Sequence, residues 1–187
     1  GIMNGLALHS KFIPYGGTFL IFSDYCKPSI RLSALMGLRV IYVMTHDSIG
    51  LGEDGPTHQP IEQLSGLRSI PNLNVFRPAD RMETIECWEL ALKNSKTPSV
   101  LSLTRQNLDP IREKYSNINR CSFGAYEVLR TNKNIHLTIL ASGSEVNLAI
   151  ETSHKLAKDK IYTKVISVPC QDLFDSQSKS YKQKILG

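Results

Sequence analysis

Cysteine is scarce in this sequence, and its distribution excludes two classes of protein. The four cysteines lie at positions 26, 87, 121 and 170 and form no C-x-x-C pair. This spacing indicates neither a zinc site nor a dense disulfide framework. The simplest interpretation is reduced thiols in a cytoplasm, so we expect a cytoplasmic location.

Long apolar runs are also missing. No run reaches the length that crosses a bilayer, because Arg, Lys, Asp or Gly interrupts the longest candidates. No secretory signal is visible at the start. We therefore expect no membrane partner. The apolar share of 41% and the charged share of 21% are typical of a soluble globular protein.

The net charge is positive, but its pattern does not favour nucleic acid as a partner. The 22 Lys and Arg residues outnumber the 17 Asp and Glu residues and give a formal net charge of +5. These basic residues are spread along the chain and are not interleaved with aromatic residues, as a nucleic-acid surface would require. The excess indicates a solvated surface and is compatible with an anionic substrate.

Apolar runs and helical spacing alternate in the first part of the chain. The runs predict buried strands over 39–45, 74–76 and 99–103, and the spacing predicts helices over 18–36, 61–70 and 80–94. Because strands and helices alternate, they predict a parallel α/β sheet.

Two of these predicted helices carry further local signals. Pro28 should kink or divide the helix over 18–36. In the helix over 80–94, Asp80 is placed to cap the N-terminus, and Glu83 completes a capping-box-like pattern. The apolar stripe of this helix comprises Met82, Ile85, Trp88 and Leu92.

A second, incomplete α/β domain is predicted beyond a polar linker over 106–119. Its strands are expected over 126–129, 137–141 and 163–168, with a helix over 144–157. We accordingly expect one domain over 1–119 and another over 120–187. The chain begins in what reads as the end of a helix and stops at Gly187 after a lysine-rich stretch with no closing element. We interpret both ends as cuts.

Two side chains follow predicted strands directly. His46 comes after the first strand and Arg105 after the third. Ligands of open α/β sheets collect beyond the carboxyl ends of the strands, and the planar fork of arginine suits a phosphate. The pair therefore points to an anionic ligand. The alternative is a surface histidine and an arginine paired with a neighbouring carboxylate.

The loop over 46–60 adds glycines, acids and a second histidine. Asp54 can accept hydrogen bonds from sugar hydroxyls, and His58 can donate to an oxygen or move a proton near neutral pH. A histidine in a structural hydrogen bond is the alternative. The loop also matches G-x-G-x-x-G, but we reject a dinucleotide site, because Glu53 and Asp54 would face the pyrophosphate and no helix opens there.

Aromatic residues at helical spacing form a stripe of Phe19, Phe22 and Tyr25. Such a stripe packs in a core more often than it lines a cofactor site, although a planar heteroaromatic ring could stack on it. The turn over 142–145 joins a strand to a helix. Simple capping of that helix by a serine is preferred to an anion site.

At this point the motifs together resemble those of transketolase. They are GGTFL over 16–20, THDSIGLGEDGPTHQP over 45–60, FRPAD over 76–80, RQN over 105–107, ASGSEV over 141–146 and VP over 168–169. The similarity covers essentially the entire chain. The long motif over 46–60 is the most specific, since deoxyxylulose-phosphate synthases share its DGPTH core but differ ahead of it.

The resemblance implies a thiamine-diphosphate enzyme that transfers two-carbon ketol units between sugar phosphates in the pentose phosphate pathway. Residues 1–119 would be its pyrimidine-binding domain, and 120–187 the start of its C-terminal domain. The diphosphate and a divalent metal, Mg²⁺ or Ca²⁺, would be held by a domain that these residues do not include, so none is assigned to the metal. The working unit would be a homodimer.

Roles carried over by position give the chain a candidate site. Phe19, Phe22 and Tyr25 would surround the aminopyrimidine ring. His46 and Arg105 would grip the sugar phosphate, Asp54 would bind a substrate hydroxyl, and His58 would contact the transferred ketol. We expect the four polar residues to converge on one pocket rim, with the aromatic residues lining the adjacent wall.

Two departures from the family pattern lead us to expect an inactive chain. The glutamate that hydrogen-bonds the pyrimidine ring belongs just before Gly1 and is absent, and the domain that binds the metal and the diphosphate is absent as well. Two alternatives stay open. One is another thiamine-diphosphate enzyme, such as deoxyxylulose-phosphate synthase or a dehydrogenase β-subunit. The other is a non-catalytic half that pairs with a separate cofactor-binding chain.

Overall fold

The computed structural model describes residues 1–112 and 116–187. The chain divides into two compact units, of which unit 1 comprises 1–76 and 88–107 and unit 2 comprises 77–87 and 108–187. Both units contain helices and a sheet, which confirms the predicted α/β fold class. The boundary at 119 stays a prediction, and residues 113–115 of the predicted linker lie outside the described residues.

Unit 1 is built on a four-stranded, all-parallel sheet in the order β1-β2-β4-β3. Its strands are β1 (Tyr15–Phe19), β2 (Ile41–Thr45), β3 (Asn74–Phe76) and β4 (Ser99–Ser102). The helices along this part of the chain are α1 (Ile2–His9), α2 (Ser23–Leu35), α3 (Gln63–Arg68) and α4 (Arg81–Lys93). Of α4, residues 81–87 are assigned to unit 2 and the remainder to unit 1. The parallel sheet predicted from the sequence is therefore confirmed.

The core of unit 1 lies between this sheet and its helices. Leu20, Ile30 and Val40 are fully buried there, together with Val75 and Val100 from neighbouring strands. Strand β4 buries all four of its side chains and β2 buries three of its five, as is typical of a parallel sheet whose faces are covered by helices.

The helix predicted over 18–36 is wrong at its start. Thr18 and Phe19 belong to β1, a 3-10 helix covers Leu20–Phe22, and the α-helix begins only at Ser23. The three- and four-residue spacing of aromatic residues continues through the 3-10 turn, and two glycines hide the strand before it. The helix also runs through Pro28 without division. Proline removes one hydrogen bond of a helix, and buried Ile30 anchors the following turn.

Helix α4 buries two acids, whereas two of the four residues in its predicted apolar stripe are exposed. Ile85 is 62% and Leu92 43% exposed, whereas Glu83 is fully buried and Glu86 nearly so. The predicted cap is present, because Asp80 Oδ1 accepts the Glu83 amide proton at 2.8 Å. The Glu83 carboxylate in turn accepts the Ala79 amide proton at 2.7 Å.

The burial of Glu83 is explained by hydrogen bonds within unit 2. Its carboxylate accepts from the hydroxyls of Tyr126 and Ser167, both at 2.6 Å. Desolvation raises the pKa of this carboxyl above its ordinary value despite these bonds. A buried acid with every oxygen hydrogen-bonded is a structural element that apolar spacing cannot reveal.

Unit 2 holds a mixed three-stranded sheet in the order β5-β7-β6. Strand β7 (Thr163–Ser167) pairs antiparallel with β5 (Tyr126–Arg130) and parallel with β6 (Leu137–Ala141). Its helices are α5 (Glu145–Lys158), α6 (Gln171–Asp175) and α7 (Lys179–Leu186). The three strands and the helix predicted here are confirmed.

The lysine-rich end of the sequence is helical, so the expectation of no closing element there is wrong. Ser178 caps α7 by accepting the Tyr181 amide proton at 3.2 Å. Ile185 packs in a cluster with Ala125 and Ile166. Lysines on the exposed side of this helix mask its apolar side in the sequence.

Serine capping of α5 is wrong as well. Ser144 occupies the N-cap position, but its side chain makes no cap hydrogen bond and donates to Glu145 at 3.0 Å. Arg77 forms an ion pair with Glu145 and donates to the Ser142 carbonyl at 3.1 Å. The turn over 142–145 therefore binds a side chain of the protein itself.

All four cysteines are free thiols, as expected. Three of them are buried, and burial raises the pKa of the Cys170 thiol to about 12. Protonated, buried thiols of this kind are poor nucleophiles. Across the two described ranges, no helix has the length and apolar character needed to cross a bilayer.

Candidate functional site

The candidate site begins where two neighbouring parallel strands end. Strands β2 and β4 run in register, and the Leu103 amide donates to the Met44 carbonyl at 2.8 Å just beyond their ends. His46 and Arg105 follow these strands, so both residues leave the sheet at its carboxyl edge. His46 has a left-handed backbone, with φ of 57°, a conformation that histidine adopts more readily than most residues.

Two histidines and two phenylalanines pack together beside this edge. The rings of Phe19 and His46 stack with centroids 3.7 Å apart. His58 meets Phe22 edge to face at 5.4 Å and Phe19 at 6.1 Å. We call these four residues the ring cluster. Tyr25 extends it, with its ring 6.2 Å from that of Phe22.

The ring cluster differs from an ordinary core. All four of its side chains are half-buried, and Tyr25 is 84% exposed, whereas neighbouring Leu20 is fully buried. Core packing, the alternative for the aromatic stripe, therefore does not describe these residues. They form a partly open wall on which a planar ring can stack.

Each histidine is oriented by the threonine before it. Nδ1 of His46 lies 3.0 Å from the Thr45 hydroxyl, and Nδ1 of His58 lies 2.9 Å from the Thr57 hydroxyl. Within the described ranges, neither Nε2 has a protein hydrogen-bond partner. Nε2 is therefore the nitrogen of each ring that is available to a ligand.

The loop that carries His58 is held by its own polar groups. Ser48 accepts the Gly50 amide proton at 3.2 Å and caps the 3-10 helix Ile49–Leu51. The Gln59 side-chain amide donates to the carbonyls of Ile49 at 3.3 Å and Gly52 at 3.4 Å. Gly52 has φ of 80°, a backbone conformation that glycine adopts without strain.

Arg105 lies against the same loop. Its Nη2 donates to Glu53 Oε1 at 2.8 Å, which is the pairing with a neighbouring carboxylate that was the alternative interpretation of this arginine. The side chain of the next residue, Gln106, packs directly on Gly50. A Cβ atom added at Gly50 would lie 1.9 Å from the side-chain nitrogen Nε2 of Gln106. The RQN segment and the loop are therefore joined at two points.

Asp54 is the candidate with the weakest structural support. It is exposed in the loop, and within the described residues no hydrogen bond or ion pair joins it to the other candidates. The structure thus brings His46 and His58 together with the aromatic residues and joins Arg105 to the loop. Among the described residues, it shows no contact between Asp54 and the other candidate residues.

Two residues of this site were missed as candidates. Glu53 lies in the motif over 45–60 and Gln106 in the motif over 105–107. Neither residue type indicates from the sequence which residue it will contact. Only the fold brings Glu53 to an arginine 52 residues away.

A cavity of about 360 Å³ lies beside Tyr25. Gly16, Gly17 and Tyr42 also line it, and a Cβ at Gly17 would lie 3.2 Å from the Val43 carbonyl oxygen. A glycine floor beside an aromatic side chain fits a flat heteroaromatic ring. A larger cavity of about 670 Å³ lies within unit 2 and includes none of the candidate residues.

No metal site accompanies these features in the described part of the chain. Across residues 1–112 and 116–187, no group of three or more His, Cys, Asp or Glu side chains is placed to hold a metal ion. Of the acids in the loop, Glu53 pairs with Arg105, Asp54 is exposed and Asp47 is buried.

Fold and site together define an α/β protein that presents a partly open cluster of aromatic and histidine rings and an arginine at the carboxyl ends of parallel strands. Residues 1–110 match the family described as transketolase, pyrimidine binding domain, and residues 124–187 match the transketolase-like C-terminal domain. The chain belongs to the transketolase family. This family implies thiamine diphosphate as the cofactor.

Individual relatives agree over nearly all of the chain. The transketolase of Sinorhizobium medicae is 58% identical over 186 residues, which cover 99% of this chain and 27% of that protein. A transketolase structure from Leishmania mexicana matches with a TM-score of 0.91 and 48% identity, over 98% of this chain and 27% of that one. A Pichia stipitis transketolase in complex with sedoheptulose 7-phosphate matches at 0.92 and 45%, with the same coverage. The chain thus spans about a quarter of the length of these relatives.

Proposed function

We propose that the chain is the part of a transketolase that binds the cofactor pyrimidine and the sugar phosphate. The reaction would transfer a two-carbon ketol group from a ketose phosphate such as xylulose 5-phosphate to an aldose phosphate such as ribose 5-phosphate or erythrose 4-phosphate. Its place would be the pentose phosphate pathway. The observation that carries the proposal is the stacking of Phe19 on His46, with His58 edge-on beside them.

Each side chain has a role that its surroundings support. Phe19, Phe22 and Tyr25 hold the aminopyrimidine ring of thiamine diphosphate. The cavity lined by Gly16 and Gly17 supports this role for Tyr25, and the half-buried rings of Phe19 and Phe22 support it for those two residues. The bound cofactor supplies the electron sink for cleavage of the carbon–carbon bond. The protein positions the reacting groups and transfers protons to and from them.

The polar residues act on the sugar. Arg105 and His46 bind its phosphate, because a guanidinium presents parallel donors and the Nε2 of His46 faces no protein partner among the described residues. His58 contacts the ketol group and is the catalytic candidate, since its Nε2 can donate to or accept from a substrate oxygen. Asp54 binds a substrate hydroxyl from the exposed loop.

The partners follow from the same proposal. The working unit is a homodimer in the cytoplasm, and Mg²⁺ or Ca²⁺ is bound by a domain outside residues 1–187. Ile2 is 84%, Tyr15 71% and Leu35 71% exposed on unit 1, and a dimer interface would cover side chains of this kind.

The test uses the full-length enzyme that contains this chain, with either xylulose 5-phosphate or pyruvate as the donor substrate. We expect ketol transfer from xylulose 5-phosphate to ribose 5-phosphate and no product from pyruvate. Turnover of pyruvate in place of xylulose 5-phosphate would favour deoxyxylulose-phosphate synthase and reject the proposal.

A second assay addresses the chain on its own. The 187-residue chain should show no ketol transfer, because the domain that holds the diphosphate is not part of it. Activity that appears only after a separate cofactor-binding chain is added would favour the two-chain alternative.

A further inference from the structure

Arg105 uses only a small part of its hydrogen-bonding capacity in the structure. One nitrogen, Nη2, donates to Glu53 Oε1 at 2.8 Å, and no other side-chain partner is found in the described residues. A guanidinium has five N–H donors, and a phosphate takes two of them in parallel. Glu53 therefore occupies one end of a fork that a phosphate would use.

The contact is weak enough to be exchanged. The Arg105 side chain is 44% exposed and that of Glu53 is 75% exposed, and such ion pairs contribute little to stability. A carboxylate carries one negative charge, whereas a phosphate monoester carries about −1.5 to −2 at pH 7. Phosphate should therefore displace Glu53 from Arg105 rather than be excluded by it.

The loop does not depend on this ion pair for its shape. Its backbone is held by the Ser48 cap and by the two hydrogen bonds of Gln59, and Gln106 packs on Gly50 independently of the Glu53 side chain. Removing the carboxylate charge should leave the rest of the site in place.

We propose that Glu53 is a built-in competitor for the phosphate group at Arg105 and lowers the affinity of the site for phosphorylated ligands. The inference rests on the proposed phosphate role of Arg105. After exchange, the freed carboxylate stays close to the phosphate, and the repulsion between them opposes binding. Glu53 thus keeps phosphate binding weak and rapidly reversible.

Binding of inorganic phosphate tests this without any need for activity. In the full-length enzyme, Glu53→Gln should lower the Kd for phosphate about threefold, in keeping with the small energy of exposed ion pairs. Arg105→Ala should raise the Kd by about tenfold to a hundredfold. The control is Glu127→Gln, which removes the charge of a second, partly exposed Arg–Glu pair with N–O of 2.6 Å to Arg130, and should leave the Kd unchanged.

Kinetics then test whether the effect reaches the substrate. Glu53→Gln should lower the KM for a phosphorylated acceptor about threefold, without a matching decrease in the KM for glycolaldehyde, an unphosphorylated acceptor. An unchanged or higher Kd for phosphate in Glu53→Gln would overturn the inference. If phosphate binding responds as expected but the wild type transfers no ketol group, the proposed function fails and the competition at Arg105 stands.

Discussion

Two ion pairs in this chain have the same N–O distance and opposite surroundings. Arg105 and Glu53 meet at 2.8 Å with side chains 44% and 75% exposed, whereas Arg112 and Glu86 meet at 2.8 Å with side chains 8% and 9% exposed. The first pair lies at the candidate site in unit 1, and the second is inside unit 2. Distance alone would give them equal weight, but their burial separates a contact that a ligand can replace from one that holds the fold.

The buried pair is tied into further contacts of unit 2. Glu86 also accepts the Cys121 amide proton at 3.0 Å, and the Arg112 guanidinium lies 5.2 Å from the centre of the Tyr126 ring. Loss of one partner would leave a largely buried charge without its ion-pair partner.

The largest effect that this comparison predicts is on stability. Glu86→Ala should lower the free energy of unfolding by about 3–5 kcal/mol, because it leaves buried Arg112 unpaired. Glu53→Ala, the matched change at the exposed pair, should lower it by less than about 1 kcal/mol. Urea unfolding followed by circular dichroism measures both.

A milder variant keeps this prediction testable if Glu86→Ala does not fold. Glu86→Gln retains an acceptor for the Cys121 amide proton and should lose less stability than Glu86→Ala. Equal losses for the changes at Glu86 and Glu53 would show that burial does not distinguish the two pairs.

The next effect is on substrate selectivity. Arg105→Ala should raise the KM for phosphorylated substrates by about tenfold to a hundredfold, since loss of a charged hydrogen-bonding partner costs about 1.5–3 kcal/mol. Steady-state kinetics with glycolaldehyde as the unphosphorylated acceptor give the control, which should be unaffected. The same loss for both acceptor types would reject a phosphate role for Arg105.

The smallest effect concerns pH and the buried acid of helix α4. Desolvation raises the pKa of Glu83 above its ordinary value of 4.5. The folded protein then binds this proton more tightly than the unfolded chain does. The resulting stability is fully present below about pH 4.5 and is lost as the pH rises through the folded-state pKa, at up to about 1.4 kcal/mol per pH unit.

Glu83→Gln isolates this contribution, because an amide does not titrate. Urea unfolding of the two proteins across pH 4 to 8 should show that the wild type loses stability relative to Glu83→Gln as the pH rises. A wild type that gains stability over that interval relative to the variant would mean that the hydrogen bonds of Tyr126 and Ser167 outweigh desolvation.

The sequence reveals those parts of unit 1 whose signals are local. Strand β2 is an apolar run and β3 and β4 each contain a short one, so the positions of all three could be predicted to within two residues. His46 and Arg105 could be placed at strand ends for the same reason. Strand β1 could not, since Gly16 and Gly17 give no strand signal and the aromatic spacing after them continues into a helix.

Contacts between residues that are far apart in the sequence cannot be predicted from local sequence patterns. The buried face of α4 contains Glu83 because Tyr126 and Ser167, which are 43 and 84 residues away, supply its hydrogen bonds. The contact between Glu53 and Arg105 likewise depends on the fold, since the two residues are 52 positions apart in the sequence. Helical periodicity describes a helix and its apolar surface, but it cannot identify polar partners from other segments.

A crystal structure of the full-length enzyme with thiamine diphosphate and xylulose 5-phosphate would test the proposed site most directly. We predict that phosphate oxygens lie about 3 Å from both Arg105 and His46, with Glu53 released and the pyrimidine ring against Phe19, Phe22 and Tyr25. A sugar phosphate bound elsewhere, with Arg105 still on Glu53, would contradict the site described for this chain.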